Sequence, residues 1–342
     1  MNTTLTTRDE MRTPPRRGLL AAAASLARIH KSAWLLALSS AALQVLVFPK
    51  PGLHYLSWIC LAPLIYAVLR AREADAAELL EGEGYSYLAP ASPFQAFFLG
   101  WACGAGVYLG SCYWVYSVMH TYGGLDAAVS AVLLVLFSLY IGLHQAVFAA
   151  LLAWAAHSRA GYCRRALFLV PFLWVTIELL REYLVGFPWD LLGTAQVDNT
   201  ALSQIATFTG VYGLSFETAL VNAAFAAIFL VRPARRRLML AAAVVTTLML
   251  QSAQLIELER VPADQRALLV QQNVAVKAHW QFPEYAQLLQ SLDAASKVPD
   301  GSGVNLVVWP ESSAPLFLND RLFASTVSGI AQRLHAYMVV GS

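Results

Sequence analysis

Long apolar stretches separated by short polar segments occupy most of the chain up to about residue 256. A helix needs about 20 apolar residues to cross the roughly 30 Å hydrocarbon core of a bilayer. The pattern therefore predicts an all-α membrane bundle of about seven helices over residues 33–256, preceded by a polar tail over residues 1–32. The predicted spans are about 33–48, 53–70, 94–119, 126–156, 166–185, 204–231 and 238–256.

The pattern changes after residue 256. ALLVQQNV, VNLVVW and YMVVG read as strands, and two amphipathic helices lie between them, over residues 283–298 and from Asn319 or Asp320 onward. Alternating strands and helices predict a parallel α/β sheet. Three strands and two helices are too few to close a core, so residues 257–342 are predicted to be the N-terminal part of an α/β domain.

Composition supports the membrane prediction. The chain is 58% hydrophobic and 13% charged, whereas a soluble domain carries about a quarter charged residues. The net charge of +2 and the absence of a basic–aromatic array give no reason to expect a nucleic-acid partner. The four cysteines show neither metal-binding nor disulfide spacing, which favours buried or incidental thiols. They are Cys60, Cys103, Cys112 and Cys163.

Charges in the polar segments predict the topology. RAREADAAE, HSRAGYCRR and RPARRRL are rich in arginine, whereas the alternate segments TYGGLD and GFPWD contain no lysine or arginine. Lys50 is the one basic residue of the remaining alternate segment. The positive-inside rule then places the N-terminus in the cytoplasm and residues beyond 256 outside. The short apolar stretch before Arg28 does not resemble a cleaved signal peptide, so we expect no cleavage.

Glu311 follows the apolar strand VNLVVW and Pro310. Functional groups of open parallel sheets gather beyond the carboxyl ends of the strands, which makes this carboxylate a candidate catalytic residue. Its position alone also fits an exposed glutamate that caps a helix or pairs with an arginine.

Charged residues inside predicted spans are costly and are therefore functional candidates as well. Glu178 lies at helical neighbour spacing from Arg181 and Glu182, so a structural ion pair is the alternative there. Glu217 lies near the middle of its span, and we expect it to be buried against another helix or near a lipid cavity.

Several segments resemble known families. NLVVWPESSAP resembles the first catalytic motif of the nitrilase (carbon–nitrogen hydrolase) superfamily, and ALLVQQNVAVKAHW is similar to its opening strand. The segments YWVYSVMHTYGG, LWVTIELLREYLVGFPWDLLG and TGVYGLSFETALVNA resemble, in the same order, those of bacterial apolipoprotein N-acyltransferases. The resemblance extends from about residue 35 to the last residue.

This resemblance implies an enzyme of the bacterial inner membrane whose C-terminal nitrilase-like domain is periplasmic. Members transfer an acyl chain from a membrane phospholipid to the N-terminal S-diacylglyceryl-cysteine of an apolipoprotein, through a thioester and a Glu-Lys-Cys triad. Glu311 matches the catalytic glutamate, and Trp280 matches a tryptophan implicated in substrate binding, for which an interfacial anchor is the alternative. No cofactor is implied, because the acyl donor is already an activated ester.

The sequence departs from the family in one respect. Lys277 and Lys297 precede Glu311, whereas the family's catalytic lysine and cysteine follow the glutamate, and no cysteine follows Cys163. We therefore expect a chain that is truncated within the nitrilase-like domain and inactive alone. A degenerate protein, a membrane-bound nitrilase-type amidase that uses water as acceptor, and a non-enzymatic membrane protein are the alternatives.

Overall fold

A computed structural model of the chain describes residues 19–74, 87–156, 162–231, 233–252, 264–273, 281–298, 303–311, 313–314, 316–317 and 319–341. The chain divides into two compact units, Met1–Glu257 and Leu258–Ser342. Within the described residues, the regular structure of the first unit is helical apart from one short ribbon, and the second unit contains a small parallel sheet. These features confirm the predicted order of a helical region followed by α/β structure.

The first unit contains helices α1 to α10 within the described residues. Their bounds are α1 Leu19–Ala27, α2 Lys31–Val47, α3 Ala62–Leu69, α4 Pro93–Ser111, α5 Trp114–Ser117, α6 Ala127–Ala156, α7 Tyr162–Val185, α8 Thr200–Ser203, α9 Ala206–Leu230 and α10 Pro233–Gln251. Two 3₁₀ turns, His54–Trp58 and Leu192–Gln196, interrupt the α-helices. Strands β1 (Arg72–Glu73) and β2 (Leu88–Ala89) form an antiparallel ribbon.

Two described helices are long and apolar enough to cross a membrane, α6 and α9. A third span results if α4 and the helical segment Trp114–Tyr122, which bend by 52° at their junction, act as one. The other predicted spans also coincide with helices, but these are shorter or carry more charge. The structure therefore supports a membrane region, while the count of seven spans remains a prediction.

Glycines allow α4 and α6 to pack closely. Gly100 and Gly104 form a GxxxG pattern on α4, and they face Gly142 and the following turn of α6. A Cβ atom on Gly104 would lie 2.7 Å from the Gly142 carbonyl oxygen, and one on Gly142 would lie 2.6 Å from the Ala105 nitrogen. The backbones of the two helices are thus in direct contact.

The second unit is a three-stranded parallel sheet in the order β3-β4-β5. Its elements are β3 Ala267–Leu269, α11 Phe282–Ala295, β4 Leu306–Val308, α12 Arg321–Leu334 and β5 Tyr337–Val339. Val307 pairs with Leu268 on one side and Met338 on the other. These three side chains belong to the core that α11 and α12 complete.

Helix α12 begins with the cap that the sequence favoured as one of two choices. The Asp320 carboxylate accepts hydrogen bonds from the backbone N–H groups of Leu322 (2.9 Å) and Phe323 (3.0 Å). These N–H groups have no partner inside the helix, so the cap satisfies them. Phe323 is fully buried, which fixes α12 against the sheet.

Candidate functional site

Glu311 lies just beyond the carboxyl end of β4, the central strand of the sheet. Backbone pairing continues to Trp309, whose N–H donates to the Val339 carbonyl at 2.9 Å. Pro310 has no N–H, so the ladder ends there and the chain turns. The Glu311 side chain is exposed at this edge.

The residues on either side of Glu311 are fixed by buried contacts. Trp309 is 3% exposed, and its indole N–H donates to the Ser296 hydroxyl at 3.0 Å. On the other side, Ser313 is buried and its hydroxyl donates to the Gly341 carbonyl at 3.0 Å. The carboxylate is therefore presented to solvent from a short segment that is anchored at both ends.

The ends of the neighbouring strands complete this edge. Gln272, beyond β3, donates from Nε2 to the Ser313 carbonyl at 2.7 Å, while its Oε1 atom is buried without a hydrogen-bond partner in the described structure. Glu311 itself forms no hydrogen bond or ion pair with the described residues, and Asp320 rather than Glu311 caps α12. A carboxylate in this setting is available to accept a proton from a group brought to the edge.

Trp280 lies outside the described residues, as does Lys277. The role of Trp280 in substrate binding therefore stays a prediction, and so does the catalytic role of Glu311. Among the described residues, no three histidine, cysteine, aspartate or glutamate side chains are grouped so that they hold a metal ion.

In the first unit, Glu178 fixes the segment that follows α7. Its side chain is 3% exposed, and Oε1 accepts hydrogen bonds from the Leu192 backbone N–H (2.7 Å) and the Trp174 indole (2.9 Å). Leu192 begins the 3₁₀ turn, so the carboxylate satisfies an N–H group at the start of that turn. The turn is thus hydrogen-bonded to a buried carboxylate, which is what non-helical backbone inside a membrane region would require.

Arg181 is also buried but does not pair with Glu178 within 4 Å in the described structure. Its guanidinium donates to the Tyr108 hydroxyl and, at 2.6 Å, to the Trp189 carbonyl. It also lies over the rings of Tyr108 and Phe187, at 5.6 and 5.9 Å from their centroids. The alternative of a Glu178–Arg181 ion pair is wrong, since both residues hold the backbone of the segment after α7.

Glu217 of α9 is buried against another helix, as predicted. It is 1% exposed, and both carboxylate oxygens accept hydrogen bonds from Gln251 Nε2 of α10, at 3.1 and 2.9 Å. The pair joins the last two helices of the unit.

Asn222 is a buried polar residue that the sequence pattern did not single out. Its Oδ1 atom accepts from the backbone N–H groups of Leu61 (2.8 Å) and Ala62 (3.1 Å), and its Nδ2 atom donates to the carbonyls of Ser57 (2.7 Å) and Thr218 (2.9 Å). Asn222 of α9 thus caps the first turn of α3. A lone amide within the apolar run TALVNAAFAA is the signal that points to it.

The first unit consists of apolar helices with buried, hydrogen-bonded polar groups. It is followed in the chain by a parallel α/β unit that exposes a carboxylate at its strand edge. Together these features define a helical membrane protein with an α/β module. Residues 40–224 match the family described as Apolipoprotein N-acyltransferase N-terminal domain. This match covers more than half of the chain, which therefore belongs to the apolipoprotein N-acyltransferase family.

Individual relatives agree with this assignment. The chain is 34% identical over 326 residues to the apolipoprotein N-acyltransferase of Geobacter metallireducens, an alignment that covers 92% of this chain and 58% of the relative. The proteins of the same name from Shewanella oneidensis and Methylococcus capsulatus are 28% and 32% identical, over 73% and 68% of this chain. Each of these two alignments covers 48% of the relative, so the chain spans about half the length of the curated relatives it matches.

Proposed function

We propose that this chain contributes the membrane domain and the first part of a nitrilase-like domain to an apolipoprotein N-acyltransferase. The reaction moves an acyl chain from a membrane phospholipid to the N-terminal S-diacylglyceryl-cysteine of an apolipoprotein. Membership of the family and the shared name of the relatives support this activity. The predicted topology places the α/β domain in the periplasm and the N-terminus in the cytoplasm of a bacterial inner-membrane protein with about seven spans.

The observation that carries the proposal is the position of Glu311, exposed beyond the central parallel strand on an anchored segment. In the proposed mechanism, Glu311 accepts the proton of a cysteine thiol, and the thiolate attacks the ester carbonyl of the phospholipid. The lysophospholipid alkoxide leaves with a proton, and the acyl group remains as a thioester. The α-amino group of the apolipoprotein then attacks the thioester, and the cysteine is released.

This chain supplies only the base of that triad. No lysine or cysteine follows Glu311 in the sequence, so the groups that would stabilise the oxyanion and carry the acyl chain are not assigned to any of its residues. Trp280 is proposed to contact the substrate. No cofactor takes part, because the phospholipid ester already has the leaving group that acyl transfer requires.

Determining the DNA sequence beyond the codon for Ser342 tests the proposal. We expect an in-frame continuation of roughly the length that the relatives add, with a lysine and then a cysteine. A stop codon at that point, with no such sequence at the locus, would contradict the proposed activity.

A further inference from the structure

A polar cavity of about 920 Å³ lies in the first unit where α1, the start of α2, the β1 strand and the start of α4 meet. Among the described residues that line it are Arg28, Lys31 and Arg72, and Glu73 is the one acidic residue of this described set. These three cations and one carboxylate give the described part of the lining a net charge of +2, without counting His30, which also lines the cavity.

The walls of the cavity are held by hydrogen bonds between elements. The His30 N–H, at the corner between α1 and α2, donates to the Ala71 carbonyl at 2.7 Å. The Gln95 side chain of α4, which is 2% exposed, donates to the Ser25 carbonyl of α1 at 2.7 Å. The cavity is therefore formed by the fold before any ligand binds.

Two of these three cations, Arg28 and Lys31, are available to a ligand. Arg28 and Lys31 are exposed, and neither forms an ion pair within 4 Å in the described part of the chain, although Glu73 lines the same cavity. An uncompensated pair of cations in a preformed cavity attracts an anion, and a phosphate group fits both the charge and the hydrogen-bond donors of these side chains.

The position of the cavity along the helices identifies the source of the anion. Helix α2 begins at Lys31 and has 17 residues, so the cavity is about 25 Å from the other end of that helix. The topology predicted from the loop charges places this end of the bundle at the cytoplasmic surface. Basic pockets between helices on that side bind anionic lipid headgroups.

We propose that this cavity binds the phosphate-bearing headgroup of an anionic glycerophospholipid in the cytoplasmic leaflet, through Arg28 and Lys31. The topology predicted from the loop charges assigns the proposed acyl-transfer chemistry to the other side of the membrane. The test of the cavity therefore does not depend on whether the chain is catalytic.

Native mass spectrometry of the 342-residue chain from nanodiscs of phosphatidylcholine with a small fraction of phosphatidylglycerol tests the site. We expect retained phosphatidylglycerol, and roughly 30-fold weaker retention in Arg28→Gln/Lys31→Gln, since each cation near a lipid surface contributes about a fivefold preference. The variant Arg164→Gln/Arg165→Gln removes the same charge from two exposed residues outside the cavity, and it should retain the lipid. Equal losses in both double variants would overturn the proposal.

A second variant and a competitor complete the design. Glu73→Gln removes the carboxylate of the cavity and should strengthen retention about fivefold, so loss of binding there would contradict the electrostatic argument. Competition with glycerol 3-phosphate and with inorganic phosphate distinguishes a site for a lipid headgroup from a site for a soluble phosphate. If either displaces the lipid at low millimolar concentration, the cavity is a site for soluble phosphate and the lipid assignment is wrong.

Discussion

Replacing Asn222 with alanine tests how the helices of the membrane region are held together. Asn222 forms four hydrogen bonds, three of which connect α9 to the 3₁₀ turn and α3 about 160 residues earlier in the sequence. Without the side chain, the Leu61 N–H loses its partner, whereas the Ala62 N–H keeps a bond to the Ile59 carbonyl at 3.2 Å. The substitution therefore leaves one buried donor unsatisfied and weakens the capping of α3.

Two estimates of how far Asn222→Ala lowers the free energy of unfolding agree. An unsatisfied buried N–H costs about 1–3 kcal/mol, and the weakened bonds at Ala62 and Ser57 add roughly 1 kcal/mol. Interhelical hydrogen bonds in membrane proteins average about 0.6 kcal/mol each, which gives about 2 kcal/mol for the three bonds that leave α9. We expect Asn222→Ala to lower the free energy of unfolding by about 2–4 kcal/mol.

Unfolding by SDS in mixed bicelles measures this difference, and hydrogen exchange at the Leu61 and Ala62 amides reports it locally. Thr246→Val is a matched control, because the Thr246 hydroxyl donates only within its own helix, to the Ala242 carbonyl at 2.9 Å. The control should change stability by less than about 0.5 kcal/mol. An Asn222→Ala variant as stable as the control, with unchanged exchange at Leu61, would show that these hydrogen bonds do not hold α9 to α3.

Two further substitutions test other contacts. Gly142→Leu places side-chain atoms where the backbone of α4 lies, so it should lower the free energy of unfolding in bicelles by at least about 2 kcal/mol. Gly329→Ala is the control: its added Cβ meets nothing within 4 Å, so it should be neutral or slightly stabilising. Equal effects of the two would mean that α4 and α6 are not in backbone contact. Asp320→Ala removes the cap of α12 and should cost about 1 kcal/mol, seen as faster hydrogen exchange at Leu322 and Phe323, and unchanged exchange there would show that the cap does not form.

Much of the helical pattern could be predicted from the sequence, because apolar runs of the right length have few other stable structures in a bilayer. The strands were also predictable, since LVV and YMV are short apolar runs between helical patterns. The number of spans is harder to predict, because α3 has only 8 residues and α7 and α10 carry several charges.

The partners of buried polar groups could not be predicted, since they depend on tertiary contacts. Helical spacing suggested that Arg181 pairs with Glu178, yet its guanidinium reaches Tyr108 of α4 and the Trp189 carbonyl. Every residue has a backbone carbonyl, so the sequence pattern does not show which of them accepts a hydrogen bond from Arg181. Asn222 was missed for the same reason, because its partners are main-chain atoms of a segment far away in the sequence.

The location of Glu311 was predictable, because Pro-Glu after an apolar strand marks a strand end. The contacts that anchor the segment around Glu311 could not be predicted, because the hydrogen bond from Trp309 to Ser296 joins the end of β4 to the end of α11. The sequence pattern contains no information about which serine accepts that bond.

We propose that Glu311 acts as the base that forms the acyl-enzyme. A chimera in which this chain replaces the matching region of the Geobacter metallireducens relative would supply the rest of the domain. Asp293→Asn provides a matched control, because Asp293 is a partly exposed carboxylate paired with Arg333 on α12.

The decisive measurement is the amount of thioester formed from labelled phospholipid in membranes that contain this chimera, with and without Glu311→Gln. We expect a thioester in the parent chimera and in Asp293→Asn. In Glu311→Gln its rate of formation should fall by at least about 100-fold, since general-base catalysis typically contributes about 10²–10⁴-fold. A folded Glu311→Gln chimera that forms the thioester at the parent rate, or a folded parent that forms none, would contradict the proposed role of Glu311.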